Sequence, residues 1–141
     1  MPALARRTVL ATPLLLLALP ARARPRVPPF PEWVGRTAKL NGDNGQARLL
    51  LEASRGQGTR TGIITVRLFF FCKPLPVLDW TIAEDGLTLT YRRQSAIAAS
   101  RIIQGTARIT AEPGLLQWIE AADHLAEFEG FEGPEAVRAC G

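Results

Sequence analysis

From Trp33 to Ala111 the chain keeps a period of two. In Gln46–Ala53, Ala47, Leu49, Leu51 and Ala53 share one face, and Gln46, Arg48 and Glu52 stand on the other. Strict alternation of this kind marks a strand with one side buried. Trp33–Leu40 aligns Val34, Ala38 and Leu40 in the same way. Thr61–Phe71 is the strongest segment: Ile64, Val66, Leu68 and Phe70 face one way, and Ile63, Thr65, Arg67, Phe69 and Phe71 the other. Its second half is apolar on both sides, so the pattern predicts a central strand that Pro74 and Pro76 bring to an end. Leu78, Trp80 and Ile82 align next, then Leu87, Leu89 and Tyr91, then alternate residues from Ile103 to Ala111. Asn41–Gly45, Arg55–Gly58 and Glu84–Gly86 supply the turn residues between them.

After Pro113 the period changes. Leu115, Trp118, Ile119, Ala122, Leu125 and Ala126 fit an i, i+3, i+4, i+7 stripe, and Pro113 suits a first helical turn. This predicts a C-terminal helix. The same stretch also reads as two strands, Leu115–Glu120 and Leu125–Phe131, around a turn at Ala121–His124. The leading expectation is therefore an α+β, mainly β, domain: a curled antiparallel sheet or small barrel of about six strands with a C-terminal helix. The alternative is an all-β eight-stranded barrel.

The first residues carry a different message. Arg6 and Arg7 precede an apolar run, Leu10–Leu19, and Ala21-Arg22-Ala23 follows. Charge, apolar core and small-x-small make up the secretory pattern, so residues 1–23 are expected to be a cleavable signal peptide. The run is too short to cross a bilayer, which takes about 20 residues. Arg6-Arg7-Thr8-Val9-Leu10 resembles a twin-arginine signal, and the resemblance implies the twin-arginine export route. Residues 24–32, with Pro25, Pro28, Pro29 and Pro31, are expected to be an extended linker. Residues 33–141 form the single β-rich domain, expected to be exported to the periplasm or the extracellular space with no membrane span in the mature chain.

Export changes the meaning of charge and cysteine. Without the leader the 17 basic residues fall by three, against 13 acidic ones. The mature chain is thus near neutral, which argues against a nucleic-acid binder. Residues 24–111 hold 13 basic and 6 acidic residues, whereas 112–141 hold Arg138 against seven acids. Mutual neutralisation within one fold explains this, and an anionic partner is the rival explanation. Cys72 and Cys140 are an even pair in an oxidising compartment and are expected to form one disulfide.

Sequence signals for chemistry are sparse. His124 is the single histidine, and on the expected helix its side chain diverges from that of Asp123. Asp79, between Leu78 and Trp80, sits where burial would raise a carboxyl pKa. The chain carries no G-x-G-x-x-G, P-loop or G-x-S-x-G, and no ligand set for a histidine-based metal site. No cofactor and no catalytic set is therefore assigned. Arg48, Arg67, Arg92 and Arg108 fall on faces opposite the core, among threonines, and are the candidate binding residues, suited to an anionic glycan. The chain is read as an exported, non-catalytic binding protein. A protein-binding module such as an inhibitor of a secreted hydrolase comes first, by analogy of ingredients. A barrel-type carrier of a small apolar ligand is the alternative, and a small enzyme using Asp79 or Asp123/His124 is the weaker one.

Overall fold

A computed structural model describes residues 22–43 and 45–140. The expected signal peptide lies almost wholly outside the described residues. Eight antiparallel strands close on themselves in simple up-and-down order: β1 Thr37–Gly42, β2 Gly45–Ala53, β3 Arg60–Leu68, β4 Phe71–Ile82, β5 Thr88–Gln94, β6 Ile102–Ile109, β7 Leu115–Ile119 and β8 Asp123–Glu132. Closure comes from β8 pairing with β1, for example Thr37 with Glu132 and Gly42 with Ala126.

The main expectation of six strands and a C-terminal helix is thus corrected to the eight-stranded alternative. Residues 115–132 form a hairpin, with Leu116 opposite Ala126 and Trp118 opposite His124. The helical stripe was a coincidence of spacing. Leu116, Trp118 and Glu120 also repeat every second residue, and this hairpin gives the otherwise open edges of β6 and β1 a partner. A helix would have left both edges unpaired.

The reading of Thr61–Phe71 as one strand ended by prolines is corrected as well. The chain turns at Phe69 and Phe70, and Pro74 and Pro76 lie inside β4. They are tolerated for a local reason. β4 pairs with β3 over Phe71–Val77 but with β5 only over Val77–Ile82. The missing proline N–H groups fall where β4 has no β5 partner. A bulge between Val77 and Asp79 then switches the pleat, so Leu75 and Val77 point inward before it and Trp80 and Ile82 after it.

One end of the barrel is plugged. The proline-dense stretch runs extended to a turn of 3-10 helix at Phe30–Trp33. Val27, Phe30 and Trp33 are buried in the core. The Phe30 N–H donates to the Gly86 carbonyl at 2.8 Å and the Trp33 indole donates to that of Pro28 at 3.0 Å. Trp33 then packs on Phe30, Phe128 and Phe131, with ring centroids 4.9–5.9 Å apart. Arg36 covers the outer face of Phe131, 3.8 Å from its centroid. β1 accordingly begins at Thr37 rather than at Trp33, because Trp33 serves as a plug.

The C-terminal tail is a clasp on the outer wall. A second 3-10 turn, Pro134–Arg138, lies across β1, β2 and β3. Val137 is fully buried there, and its carbonyl accepts from the Thr65 hydroxyl. This cover explains why the outward-facing Thr37, Leu50 and Thr65 are buried. Cys140 stands at disulfide distance from Cys72 on β4, with Cα atoms 5.6 Å apart. That pair is compatible with an oxidising compartment.

The basic body and the acidic C-terminal segment meet across the sheet. Lys39 pairs with Glu129 at 2.7 Å, Arg48 with Glu132 at 2.6 Å, Arg24 with Glu127 at 2.9 Å and Arg93 with Glu120 at 2.7 Å. Much of the charge asymmetry is therefore neutralised within the fold.

Candidate functional site

The open end of the barrel lies opposite the Phe30–Trp33 plug. There the connections β1–β2, β3–β4, β5–β6 and β7–β8 surround a cavity of about 230 Å³. Its wall is apolar, made by Leu40, Ala47, Ile64, Val66, Trp118 and Ala126. Below it the barrel is filled by Trp80, Tyr91, Trp118, Phe128 and Trp33. The cavity is thus a mouth rather than a tunnel.

Three inward-pointing polar side chains shape this end. Arg93 follows Leu89 and Tyr91 on the inner face of β5, and Glu120 follows Leu116 and Trp118 beyond β7. The guanidinium grips the carboxylate with both arms, Nε to Oε1 and Nη2 to Oε2, each at 2.7 Å. The Tyr91 hydroxyl donates to the same Oε1 at 2.6 Å. Arg93 Nη1 donates to the Gln94 carbonyl at 2.9 Å.

Burial works against the Glu120 charge, yet the hydrogen bonds from Arg93 and Tyr91 outweigh it and hold the carboxyl pKa below its ordinary value. Burial first, and the neighbouring Glu120 charge second, push the Tyr91 phenol far above its ordinary range. The trio is thus an ion pair whose carboxylate also accepts a hydrogen bond from the phenol. Three of the five guanidinium N–H donors are engaged, and Arg93 lines the mouth.

Gly105 makes room for this arrangement. It lies directly opposite Tyr91 in the β5–β6 ladder, and a Cβ there would overlap the phenol ring. Gly105→Ala is expected to lower stability by about 1–3 kcal/mol through overpacking. Thermal melting read by near-ultraviolet dichroism checks this; an unchanged midpoint and Tyr signal would mean that the ring does not depend on that space.

The residues singled out in the sequence are spread around the molecule. Arg48, Arg67, Arg92 and Arg108 stand on the outer wall, on β2, β3, β5 and β6. Arg48 is tied to Glu132 and to the Ala139 carbonyl, and Arg92 to Asp79. Arg67 and Arg108 are exposed. The four do not converge on one cluster.

Asp79 also points outward. Its hydrogen bond from Arg92 lowers its pKa, contrary to the expected rise. Its apolar neighbours Leu78 and Trp80 do not enclose it. Asp123 and His124 are consecutive on β8, so their side chains leave opposite faces of the sheet. His124 lines the mouth, and Asp123 accepts from Gln117 at 2.9 Å.

Sequence reasoning missed Arg93 and Glu120. The signal was present: each continues an inward series by two residues, and the charges are opposite. It also missed the Phe69–Phe70 tip, because three phenylalanines in a row read as core.

Among the described residues no cluster of histidine, cysteine or acidic side chains could hold a metal, and no helix is long and apolar enough to cross a membrane. Comparison with protein-family models, curated proteins and solved structures returned no match, so the functional reading rests on the geometry of the chain itself.

Proposed function

We propose that this chain is an exported, non-catalytic binding protein that holds a small amphipathic molecule in the mouth of its barrel. One observation carries the reading: the core is filled, and at the open end an apolar cavity is bordered by a partly buried ion pair. The cavity holds the volume of about eight waters. That suits a single ring or a short chain, and is smaller than most drug-sized pockets. The free donors of Arg93 favour a ligand with an oxygen acceptor, such as a carboxylate or carbonyl. The carrier alternative is thereby narrowed from a deep apolar calyx to a shallow cup.

The test is a titration with short-chain and aromatic carboxylates, followed by NMR shifts of the Ile64, Val66 and Ala126 methyl groups. Saturable shifts are expected for at least one member. Val66→Phe, which fills the cup, is expected to weaken that binding more than tenfold. No shift in any of the three methyls across the panel would overturn the reading.

An inhibitor of a secreted hydrolase is the second reading. It is favoured by the fully exposed Phe69 and Phe70 at a hairpin tip, a shape that a partner's cleft would receive.

A further inference from the structure

In an up-and-down barrel alternate connections lie at the same end, and the two ends of this one differ sharply. At the plugged end two connections are mostly polar: residues 54–59 read Ser-Arg-Gly-Gln-Gly-Thr, and residues 83–87 read Ala-Glu-Asp-Gly-Leu, with Leu87 40% exposed. At the open end Phe69 is 103% exposed, Phe70 101% and Ile97 98%. These are the three most exposed large hydrophobic side chains among the described residues. Four more, Leu68, Ile102, Ile119 and Leu125, sit on the strand ends that border the same connections. Among the described residues, seven of the nine exposed large hydrophobics thus lie at or near one end, and the other two are Leu78 and Leu87.

Such a concentration is more than the scattered apolar exposure that every surface carries. The three most exposed side chains stand on two separate loops, the β3–β4 turn and the β5–β6 connection. Exposed cations stand just behind the tips: Arg67 and Lys73 on the strands leading to and from Phe69–Phe70, and Arg101 after Ile97. Among the described residues none of the three joins an ion pair. Three acids, Asp43, Glu120 and Asp123, share this end; Glu120 is paired with Arg93 and Asp123 is engaged with Gln117. Apolar tips ahead of a cationic collar match the layering of an anionic bilayer, with acyl chains inside and phosphates outside.

We propose that the open end docks on an anionic lipid surface, with Phe69, Phe70 and Ile97 entering the interface and Arg67, Lys73 and Arg101 meeting the headgroups. The chain then stands upright on the bilayer, mouth down. A membrane-derived amphiphile would reach the cup without crossing water. The docking itself does not require that the cup be filled.

The test is flotation of the oxidised mature chain with vesicles of phosphatidylcholine and phosphatidylglycerol at a 7:3 ratio (about 30% anionic lipid), against pure phosphatidylcholine. The chain is expected to float with the anionic vesicles and to fall off in high salt. Phe69→Ser/Phe70→Ser is expected to cut partitioning more than tenfold, because two large apolar side chains leave the interface. Arg67→Gln/Lys73→Gln is expected to cost roughly fivefold per charge removed. Leu87→Ser, at the plugged end, and Val66→Phe, in the cup, are expected to float like the parent chain. Failure of the parent to float, or undiminished flotation of the Phe69→Ser/Phe70→Ser variant, overturns the proposal. The first result would turn the tip over to a protein partner. A parent that elutes as a dimer from gel filtration and becomes monomeric in that variant would overturn it in favour of a second copy. Because Val66→Phe separates cup from tip, loss of ligand binding with retained flotation condemns only the small-ligand reading.

Discussion

Glu120→Ala is expected to destabilise the fold by about 3 kcal/mol, although it removes only one side chain near a solvent-facing mouth. The reason lies in what it leaves behind. Arg93 is 8% exposed, and two of its three hydrogen bonds go to Glu120. Removing the carboxylate strands a buried cation and the Tyr91 hydroxyl together. Breaking one side of a buried pair costs roughly 3–5 kcal/mol, and proximity to water at the mouth sets the expectation at the low end. Replacing both partners, Glu120→Leu with Arg93→Met, is expected to recover stability to within about 1 kcal/mol of the parent. Urea unfolding of the single and double variants checks this. A double variant no better than the single one would show that the ion pair is not what holds Arg93 in place.

The same carboxylate sets an acid limb. Its folded pKa is lowered, so the unfolded chain binds the proton first as pH falls. The stability it contributes is complete above the ordinary glutamate value, about 4.3, and is lost as pH drops from there through the lowered folded value. Glu120→Gln is expected to flatten that part of the stability curve relative to the parent. The contribution of Asp79, whose pKa is also lowered, is common to both chains and cancels in the comparison.

The core wall was legible in the sequence because a barrel asks only for a period of two. Ala47, Leu49 and Leu51 face inward as their alternation dictates, and so do Ile64, Val66, Leu89 and Tyr91. What the period cannot show is where a strand reverses. Leu68-Phe69-Phe70-Phe71 keeps the alternation through a tight turn, so hydrophobicity alone read it as buried. Pro74 and Pro76 misled for the opposite reason. They signal a strand end only if both edges are paired, and β4 has one free edge at that point.

The C-terminal hairpin shows a conflict between local and global preference. Ala121, Ala122, Leu125 and Glu127 suit a helix by propensity. Closure of the sheet decides otherwise, since one strand pair removes two open edges at once. The mouth was half legible. Its apolar wall follows from the alternation, but its polar rim requires knowing that Arg93 and Glu120 end their inward series at the same height. That knowledge belongs to the register between β5, β6 and β7 and not to any one segment. The outer-wall arginines were placed on the correct side of the sheet; Arg92 meets Asp79 across the β4–β5 hairpin whose turn the sequence marks, whereas Glu132, the partner of Arg48, comes from a strand that sequence could not bring near it.

Loss of the Cys72–Cys140 link is expected to be the costliest single chemical change. The two residues are 68 apart, and a loop of that size constrains the unfolded chain by about 4 kcal/mol in the chain-entropy account. The native consequence is local. Cys140 anchors the Pro134–Arg138 turn, and that turn covers Thr37, Leu50 and Thr65 on the outside of the barrel. Cys72→Ser/Cys140→Ser should therefore keep the barrel ladders but release the clasp. The expected result is a urea midpoint lowered in proportion to about 4 kcal/mol, with faster amide exchange confined at first to residues 133–140. The ladder amides of β5 and β6 should stay protected under native conditions. The parent must be lighter by two hydrogens than its reduced form, and must resist thiol alkylation until unfolded. A stability loss under about 1 kcal/mol would mean that the tail holds its place through Val137 and the Thr65 hydrogen bond alone. In that case the disulfide would be a covalent addition to a clasp that packing had already closed.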